Sequence, residues 1–335
     1  MIALVTGGAG FIGSHLVERL LVEGHEVRVL DNFSTGRREN LVHLKGNKRL
    51  EIVEGDLSDF GFGASNFQHF FRNVGWVFHL SAFADIVPSI VRPLDYHSVN
   101  VDGTVNVLEA ARKEGVRKFI YAASSSCYGI PDKCPTDENA EIRPQYPYAL
   151  TKYIGETYVL HWGSVYKLPV VSLRLFNVYG VRSRTTGTYG AVFGVFLAQK
   201  LAGLPFTVVG DGKQTRDFTY VTDIVEAFVK AAKSDVTNEV FNVGSGNTYS
   251  INHLIELLEG EVVHIPKRPG EPDCIQADIT KIKKMLGWKP KVSFEEGVRR
   301  ILVDIDYWKN APVWTAAKIK KETKEWFKYL LNPLI

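Results

Sequence analysis

The sequence contains little cysteine, no long apolar run and almost no net charge, and each of these absences excludes a class of protein. Three cysteines in 335 residues are too few for a disulfide-rich secreted scaffold, and they lack the Cys-x-x-Cys or Cys/His spacing of a metal site. We therefore predict reduced thiols, a cytoplasmic location and no bound metal. No stretch approaches the roughly 18 apolar residues that a membrane span needs, and the first residues lack the basic start of a signal peptide.

The charges of the chain are balanced and dispersed. Forty Lys and Arg residues against 37 Asp and Glu residues leave a formal net charge of +3. Because no block of one sign occurs, composition favours neither nucleic acid nor a membrane as a partner. A hydrophobic content of 45% excludes disordered and fibrous classes. The length is enough for one large domain or two intermixed domains with a sizeable core.

Short apolar runs alternate with amphipathic stretches through the first half of the chain. This alternation predicts βαβ units, and runs that are apolar at nearly every position are typical of a parallel sheet covered on both faces. The predicted fold class is therefore α/β, with a Rossmann-type doubly wound parallel sheet. The candidate strands are Ile2–Thr6, Glu26–Leu30, Leu50–Val53, Trp76–Leu80 and Lys118–Ala122.

The regular alternation of strands and helices ends at about residue 175. The loops, short strands and helices that follow predict a smaller mixed α/β substrate-binding lobe. We assign residues 1–175 to the sheet domain, with residues of about 211–245 returning to it, and residues 176–315 mainly to the lobe. Residues 316–335 are predicted to form a C-terminal helix. Its apolar positions would pack against the body or a second subunit; they are Ile319, Trp326, Phe327 and Leu330.

A glycine-rich turn joins the first strand to the first helix. Gly7 permits a tight turn, Gly10 lets the backbone approach a pyrophosphate, and Gly13 lets the helix pack closely on the strand. The helix N-terminus, with Phe11 and Ile12, would supply N–H groups to the phosphates. This strand–turn–helix context predicts a dinucleotide site, so that residues 1–175 are the NAD-binding domain.

Carboxylates follow the next strands at the positions that a dinucleotide needs. Asp31, beside Asn32, ends the second strand eighteen residues after Gly13, where a carboxylate binds the ribose hydroxyls and repels a 2′-phosphate, which favours NAD over NADP. Asp56 and Leu57 follow the third strand; Asp56 could bind adenine or simply form a turn. Small residues that suit a backbone passing beside a flat cofactor follow the fourth strand, namely Leu80, Ser81 and Ala82.

A serine, a tyrosine and a lysine form the candidate catalytic group. Pro147 suits the first turn of a helix, so Tyr148 and Lys152 lie one turn apart on one face. A phenol with a pKa of about 10 is a poor base unless cations lower its pKa. Lys152 and an oxidised nicotinamide could supply that charge. Ser124, at the end of a strand, could form a hydrogen bond with the substrate oxygen from which Tyr148 takes the proton. The alternative is that Tyr148 is an aromatic residue of the core and that Lys152 is an ordinary surface cation.

These residues, in this order, resemble the extended short-chain dehydrogenase/reductase superfamily and, within it, the nucleotide-sugar 4-epimerases. The resemblance extends over nearly the whole chain. It implies that NAD is held tightly and returned unchanged, that Asn100 belongs to the cofactor site, and that the protein is a homodimer through Val105–Glu114 and Tyr148–Tyr166. The matching positions are Gly7–Gly13, Asp31, Asp56, Leu57, Asn100, Ser124, Tyr128, Gly129, Tyr148, Lys152, Arg174–Asn177, Gly210–Gly212, Arg216, Asp217 and Arg268–Gly270.

The resemblance also separates the reactions of the superfamily. Relatives that eliminate water carry Asp-Glu after the catalytic hydroxyl residue, and those that decarboxylate carry a Glu, whereas this chain has Ser125 and Ser126. Without that acid, elimination and decarboxylation lose their general acid/base. We therefore expect inversion at C4 of UDP-glucose/UDP-galactose or of the N-acetyl pair through a transient 4-keto sugar.

The same resemblance places the diphosphate on Asn177, Arg216 and Arg268, although Arg216 could instead pair with Asp217. Val192 is also assigned to the substrate pocket. Ile275, at the position that gates room for an N-acetyl group, is intermediate in size and leaves the sugar open. Arg184 matches an arginine that binds the uronate carboxylate in UDP-glucuronate 4-epimerases, so epimerisation of UDP-glucuronate is the second candidate reaction. Arg184 could equally be a solvated cation of a loop.

Three further readings stay open at this stage. A dehydratase or reductase that acts on a nucleotide sugar would bind NAD through the same glycine turn and Asp31. A net dehydrogenase would consume NAD(H) stoichiometrically. A non-catalytic NAD-sensing protein would need the glycines and Asp31 but not Ser124, Tyr148 and Lys152 together.

Overall fold

The structure, a computed structural model, describes residues 1–58, 68–183 and 191–331. Its centre is a sheet of seven parallel strands in the order β11-β6-β5-β4-β1-β2-β3, which confirms the predicted fold class. The strands are β1 (Ile2–Thr6), β2 (Glu26–Asp31), β3 (Leu50–Glu54), β4 (Val74–His79), β5 (Lys118–Ser124), β6 (Val170–Leu175), β7 (Asn177–Tyr179), β8 (Phe206–Val209), β9 (Thr215–Arg216), β10 (Phe218–Tyr220), β11 (Glu239–Val243), β12 (Tyr249–Ser250) and β13 (Val262–Ile265).

Helices cover both faces of the sheet because successive residues of each strand point to opposite sides. In β1, Ala3 and Val5 pack into one core, and Leu4 into the other. The helices are α1 (Phe11–Val22), α2 (Ile86–Val91), α3 (Pro93–His97), α4 (Gly103–Lys113), α5 (Pro147–Tyr166), α6 (Val192–Leu201), α7 (Val221–Lys233), α8 (Ile251–Leu258), α9 (Thr280–Leu286), α10 (Phe294–Val303), α11 (Ala316–Glu322) and α12 (Lys324–Leu330).

A third core lies beside the sheet and belongs to the later part of the chain. It is rich in aromatic rings: Phe218 and Phe294 stack at 5.1 Å, and Tyr179 and Phe193 at 4.7 Å. Short two-stranded pairs, β7 with β10, β9 with β12 and β8 with β13, surround it. Strand β11 leaves this region and pairs with β6 in the main sheet.

The C-terminal segment is two short helices, α11 and α12, where the sequence predicts one. The break falls at Thr323, whose hydroxyl donates to the Ile319 carbonyl at 2.8 Å, a side-chain bond that competes with the backbone ladder. Ile319 and Trp326 are buried as predicted. Within the described residues, no helix is both long and apolar enough to span a membrane.

The prediction of reduced thiols is wrong for two of the three cysteines. Cys134 and Cys274 form a disulfide across 140 residues of sequence, and Cys127 is free and buried. The fold brings the pair together because Thr136 and Ala277 form a β-bridge, with Thr136 N–H donating to the Gln276 carbonyl at 2.8 Å. Spacing along the chain carries no sign of this contact. The disulfide ties together two segments that both reach the cavity described next.

Candidate active site

A cavity of about 680 Å³ opens over the carboxyl ends of the central strands, where ligands of doubly wound sheets bind. It brings together nearly all of the predicted site residues. Those that line it are Gly7, Gly10, Phe11, Ile12, Gly13, Asp31, Asn32, Asp56, Leu57, Leu80, Ser81, Ala82, Ser124, Ser125, Ser126, Tyr148, Lys152, Asn177, Val192, Arg216, Arg268 and Ile275. Arg184 lies outside the described residues.

The glycine turn forms a close-packed cradle at one end of the cavity. Gly7 has a φ of +69°, and a Cβ there would lie 2.8 Å from the Ser81 backbone nitrogen. A Cβ at Gly13 would collide with the Gly7 carbonyl oxygen. Only glycine therefore permits this backbone. The turn leads into the N-terminus of α1, whose free N–H groups suit a phosphate, so the residues present fit a dinucleotide.

Acidic and amide side chains continue the cradle at the ends of β2 and β3. The Asp31 carboxylate accepts hydrogen bonds from the backbone N–H groups of Ala9 and Phe33 at 2.9 and 2.8 Å. Burial raises the pKa of Asp31, and these two bonds oppose the rise. Asn32 donates to Asp56 at 2.6 Å. Thus Asp31 is held on the turn, and the pair Asn32–Asp56 forms the neighbouring wall.

Asn100 does not reach the cavity, unlike the other described residues predicted for the cofactor site. It is fully buried. Its amide bonds the backbone of Phe83 in both directions, at 2.8 and 3.0 Å, and donates to the Thr151 hydroxyl at 3.0 Å. Asn100 therefore connects the loop after β4 to the helix that carries Tyr148. Sequence matching found the residue, but it could not show which way the amide points.

His79, at the end of β4, is buried between two threonines. Its ring bonds the hydroxyls of Thr6 at 2.7 Å and Thr104 at 2.9 Å. Burial, together with the charge of Lys152, lowers the pKa of His79 to about 3. A neutral imidazole with both nitrogens bonded holds β1, β4 and α4 together beneath the site.

The serine, tyrosine and lysine of the candidate catalytic group all line the cavity. Pro147 occupies the first turn of α5, as predicted. The Ser124 hydroxyl lies 2.8 Å from the Ser126 hydroxyl. Burial raises the pKa of Tyr148, and the interaction of its hydroxyl with the Ser124 side chain opposes this rise. Asp85, which sequence reasoning did not single out, lines the cavity nearby, and its charge also raises that pKa.

Lys152 is almost completely buried, at 3% exposure. Its ammonium lies 4.2 Å from the centre of the Tyr121 ring. Burial lowers the pKa of Lys152 to about 7, against the charge of Glu156 one turn further along α5. A buried amine of this kind is typical of functional sites. The protein alone therefore does not lower the pKa of Tyr148, and the predicted ionisation depends on further positive charge.

Two arginines also line the cavity and share one carboxylate. Arg268 lies 2.8 Å from Glu271, and Arg216 lies 3.8 Å from it. Both guanidinium groups are mostly buried, so this part of the cavity holds fixed positive charge. The sequence does not predict a role for Glu271, because a single glutamate in a loop belongs to no recognisable motif. Asn177 is exposed beside them.

Asp217 is not the partner of Arg216, which was the structural alternative. It accepts from the backbone N–H groups of Ser245, Gly246 and Ala277 at 2.5, 3.1 and 3.0 Å. Arg216 instead donates to the carbonyl of Pro272 at 3.0 Å. Asp217 therefore binds two loop segments through three N–H groups, while Arg216 lines the cavity.

A family model described as GDP-mannose 4,6 dehydratase matches residues 4–301. The chain belongs to this family. The resemblance to extended short-chain dehydrogenases/reductases is thereby confirmed, and the chain is an enzyme of the epimerase and dehydratase type that acts on nucleotide sugars. Two relatives in this GDP-mannose 4,6-dehydratase family are a putative UDP-glucose 4-epimerase of Methanocaldococcus jannaschii, 37% identical over 306 residues (89% of this chain, 96% of that protein), and the UDP-glucose 4-epimerase of Mycolicibacterium smegmatis, 38% identical over 308 residues (90% and 97%).

Solved relatives of the GDP-mannose 4,6-dehydratase family share the fold. The UDP-glucose 4-epimerase of Thermotoga maritima, solved with UDP-glucose, is 36% identical with a TM-score of 0.84 and covers 92% of this chain and 99% of its own. The UDP-N-acetylglucosamine 4-epimerase of Methanobrevibacter ruminantium is 33% identical with a TM-score of 0.85 (92% and 98%). The UDP-glucuronic acid 4-epimerase of Bacillus cereus, solved with NAD, is 32% identical with a TM-score of 0.84 (92% and 99%).

Proposed function

We propose that the protein is an NAD-dependent UDP-hexose 4-epimerase. The observation that carries the proposal is the single cavity that the glycine cradle, the Ser124–Tyr148–Lys152 group and the two arginines all line. When bound, NAD would accept the hydride from C4 of the sugar and return it to the other face. The chain must then supply a base for the 4-hydroxyl, an anchor for the nucleotide and room for the sugar to turn.

Tyr148 is the proposed base, and Ser124 its hydrogen-bonding partner. The phenolate would take the proton of the sugar 4-hydroxyl and give it back after the ring has turned. Because burial raises the pKa of Tyr148 and lowers that of Lys152 to about 7, Lys152 alone is a weak source of positive charge. The positive ring of oxidised NAD beside them would restore the field that keeps the phenol ionised.

Arg216 and Arg268 are the proposed diphosphate anchors, together with Asn177. Planar guanidinium groups bind phosphate oxygens in pairs, and Glu271 holds both arginines in place before the ligand arrives. An epimerase needs the nucleotide fixed and the sugar loosely held. The strong charges of the two arginines, with the hydroxyls of Ser124 and Tyr148, match that division.

The reaction type follows from the residues around Ser124. Ser125 and Ser126 line the cavity where an elimination or decarboxylation would need a carboxylic acid; Ser126 bonds Ser124 instead. We rank UDP-glucose and UDP-N-acetylglucosamine first as substrates; Ile275, which lines the cavity, is intermediate in size and does not choose between these two. UDP-glucuronate is the second candidate, favoured by Arg184.

We also propose a homodimer formed through α4 and α5. Along α5, the side chains of Leu150, Tyr158, Val165 and Tyr166 are exposed although they are apolar or aromatic, and burial against a second copy would remove them from water. Sedimentation velocity measures this directly. A monomer at micromolar concentration would refute the dimer without affecting the proposed reaction.

Product NMR after separate incubation with UDP-glucose, UDP-N-acetylglucosamine and UDP-glucuronate tests the reaction. We expect inversion at C4 of at least one of the first two sugars, with no change in absorbance at the nicotinamide band. A 4-keto-6-deoxy sugar, a pentose or stoichiometric consumption of NAD(H) would identify a dehydratase, a decarboxylase or a dehydrogenase. If the protein binds NAD but converts none of the three sugars, the result would favour a non-catalytic NAD-sensing protein.

A further inference from the structure

The C-terminal segment after the family's shared region returns to the cavity. The family model ends at residue 301, yet Ala311, Pro312, Trp314 and Trp326 all line the cavity. Among them, Trp326 on α12 has a large aromatic ring with only 2% of its surface exposed. The segment therefore contributes to the site although it lies beyond the part that the family model describes.

Contacts with the substrate lobe fix this segment in place. The buried Gln199 side chain donates to the Trp314 carbonyl at 2.6 Å and to the Thr207 hydroxyl at 2.8 Å. Ile319 on α11 is buried in the core of the lobe. The segment thus packs on the lobe as part of the fold, and α12 is carried to the mouth of the cavity.

Trp326 lies between Arg268 and Tyr146, which both line the cavity. Its indole N–H donates to the Pro269 carbonyl at 2.8 Å, and the Arg268 guanidinium lies 5.5 Å from its ring centre. On another side, the Tyr146 ring is 6.2 Å away, and Tyr146 is stacked nearly parallel on Tyr148 at 6.4 Å. One ring thus touches an arginine directly and, through Tyr146, the aromatic group of the proposed base.

We propose that Trp326 is a positioning residue for the nucleotide sugar: it holds Arg268 toward the diphosphate and, with Tyr146, closes the sugar end of the cavity. Glu271 pairs with the same guanidinium at 2.8 Å, so that Arg268 is held from two sides. A cation over an indole face gains attraction that a neighbouring carboxylate does not saturate, and the hydrogen bond to Pro269 fixes the backbone next to Arg268. The inference rests on the proposed function in one respect, the assignment of the diphosphate to Arg268.

Substitutions that separate the aromatic face from simple packing test this role. Trp326→Leu keeps an apolar side chain but loses the π face and the N–H, whereas Trp326→Phe keeps a π face. With UDP as the probe in calorimetry, we expect Trp326→Leu to weaken binding about 5- to 30-fold, the range of a partly desolvated cation–π contact, and Trp326→Phe to weaken it much less. With substrate, KM should rise in Trp326→Leu while kcat changes far less.

A double-mutant cycle shows whether Trp326 acts through Arg268. In the Arg268→Ala background, Trp326→Leu should cost little further UDP affinity, because the interaction is already lost. Tyr329→Ala, an exposed residue of the same helix, is the matched control and should bind UDP normally. The same loss with and without Arg268, or equal loss in the Leu and Phe variants, would overturn the inference.

Failure of the reaction is distinguishable from failure of this inference, because UDP binding is measured without turnover. NAD content and the thermal unfolding midpoint report whether each variant is folded. If Trp326→Leu does not fold, Trp326→Phe replaces it in the cycle. Its smaller loss of UDP affinity should then disappear in the Arg268→Ala background, and a loss that persists there would contradict the inference. A protein that inverts no sugar but shows coupling between Trp326 and Arg268 would keep the inference and lose the proposed reaction.

Discussion

Tyr148→Phe should lower turnover by about 10²–10⁴, the range for loss of a general base, and leave the NAD content unchanged. The substitution removes only the hydroxyl, whose pKa the Ser124 side chain lowers against the effect of burial. The ring stays in place, because it is stacked on Tyr146 and packs edge-on against Tyr96. Initial rates with the best UDP-sugar, together with cofactor released on denaturation, measure the two quantities.

Tyr153→Phe is the matched control for this substitution. Tyr153 lies five residues later on the same helix, packs against the core and does not line the cavity. Its variant should turn over substrate at the wild-type rate. Near-normal turnover by Tyr148→Phe would remove Tyr148 from its assigned role, whereas equal losses in both variants would point to damage to α5.

Arg174→Met should lower the free energy of unfolding by about 3–5 kcal/mol, because it leaves a buried carboxylate without its partner. Arg174 and Glu156 are 5% and 1% exposed. Two nitrogens of Arg174 donate to Glu156 at 2.6 to 3.1 Å, and Ser172 donates to it at 2.7 Å. Burial lowers the pKa of Arg174, but Glu156 outweighs this and raises it. Urea unfolding measures the effect.

Two further variants define the source of that loss. In Arg174→Met/Glu156→Leu no charge is left buried, so much of the stability should return. Arg112→Ala breaks an exposed pair with Glu109 at 2.7 Å and should barely move the unfolding midpoint, as expected for a solvated ion pair. If Arg174→Met is as mild as Arg112→Ala, the buried pair does not stabilise the fold as described.

The parts of the site that follow from local pattern could be predicted from the sequence. The glycine turn depends on a backbone that neighbouring residues determine, and Tyr148 and Lys152 share a helix face because of a four-residue spacing. Asp31 follows from the end of a strand. Each of these signals lies within a short stretch of chain, and each of these residues lines the cavity.

The parts that depend on distant contacts could not be predicted. The Cys134–Cys274 disulfide, the contact of Trp326 with Arg268 and the sharing of Glu271 by two arginines join segments far apart in sequence. Asn100 was found by matching, but its orientation toward Phe83 depends on packing. The break at Thr323 lies inside an amphipathic pattern that gives no warning of it.

The strand order of the main sheet affects how the protein can form during synthesis. Strand β11 pairs with β6, but the segment between them contains four of the short strands, β7 to β10, and two helices, α6 and α7. Until residue 243 has left the ribosome, β6 presents an open edge that another nascent chain could pair with. Pairing over such a separation is also slow, because a long loop must close first. Translation and chaperone binding at this stage therefore bear on the yield of folded enzyme.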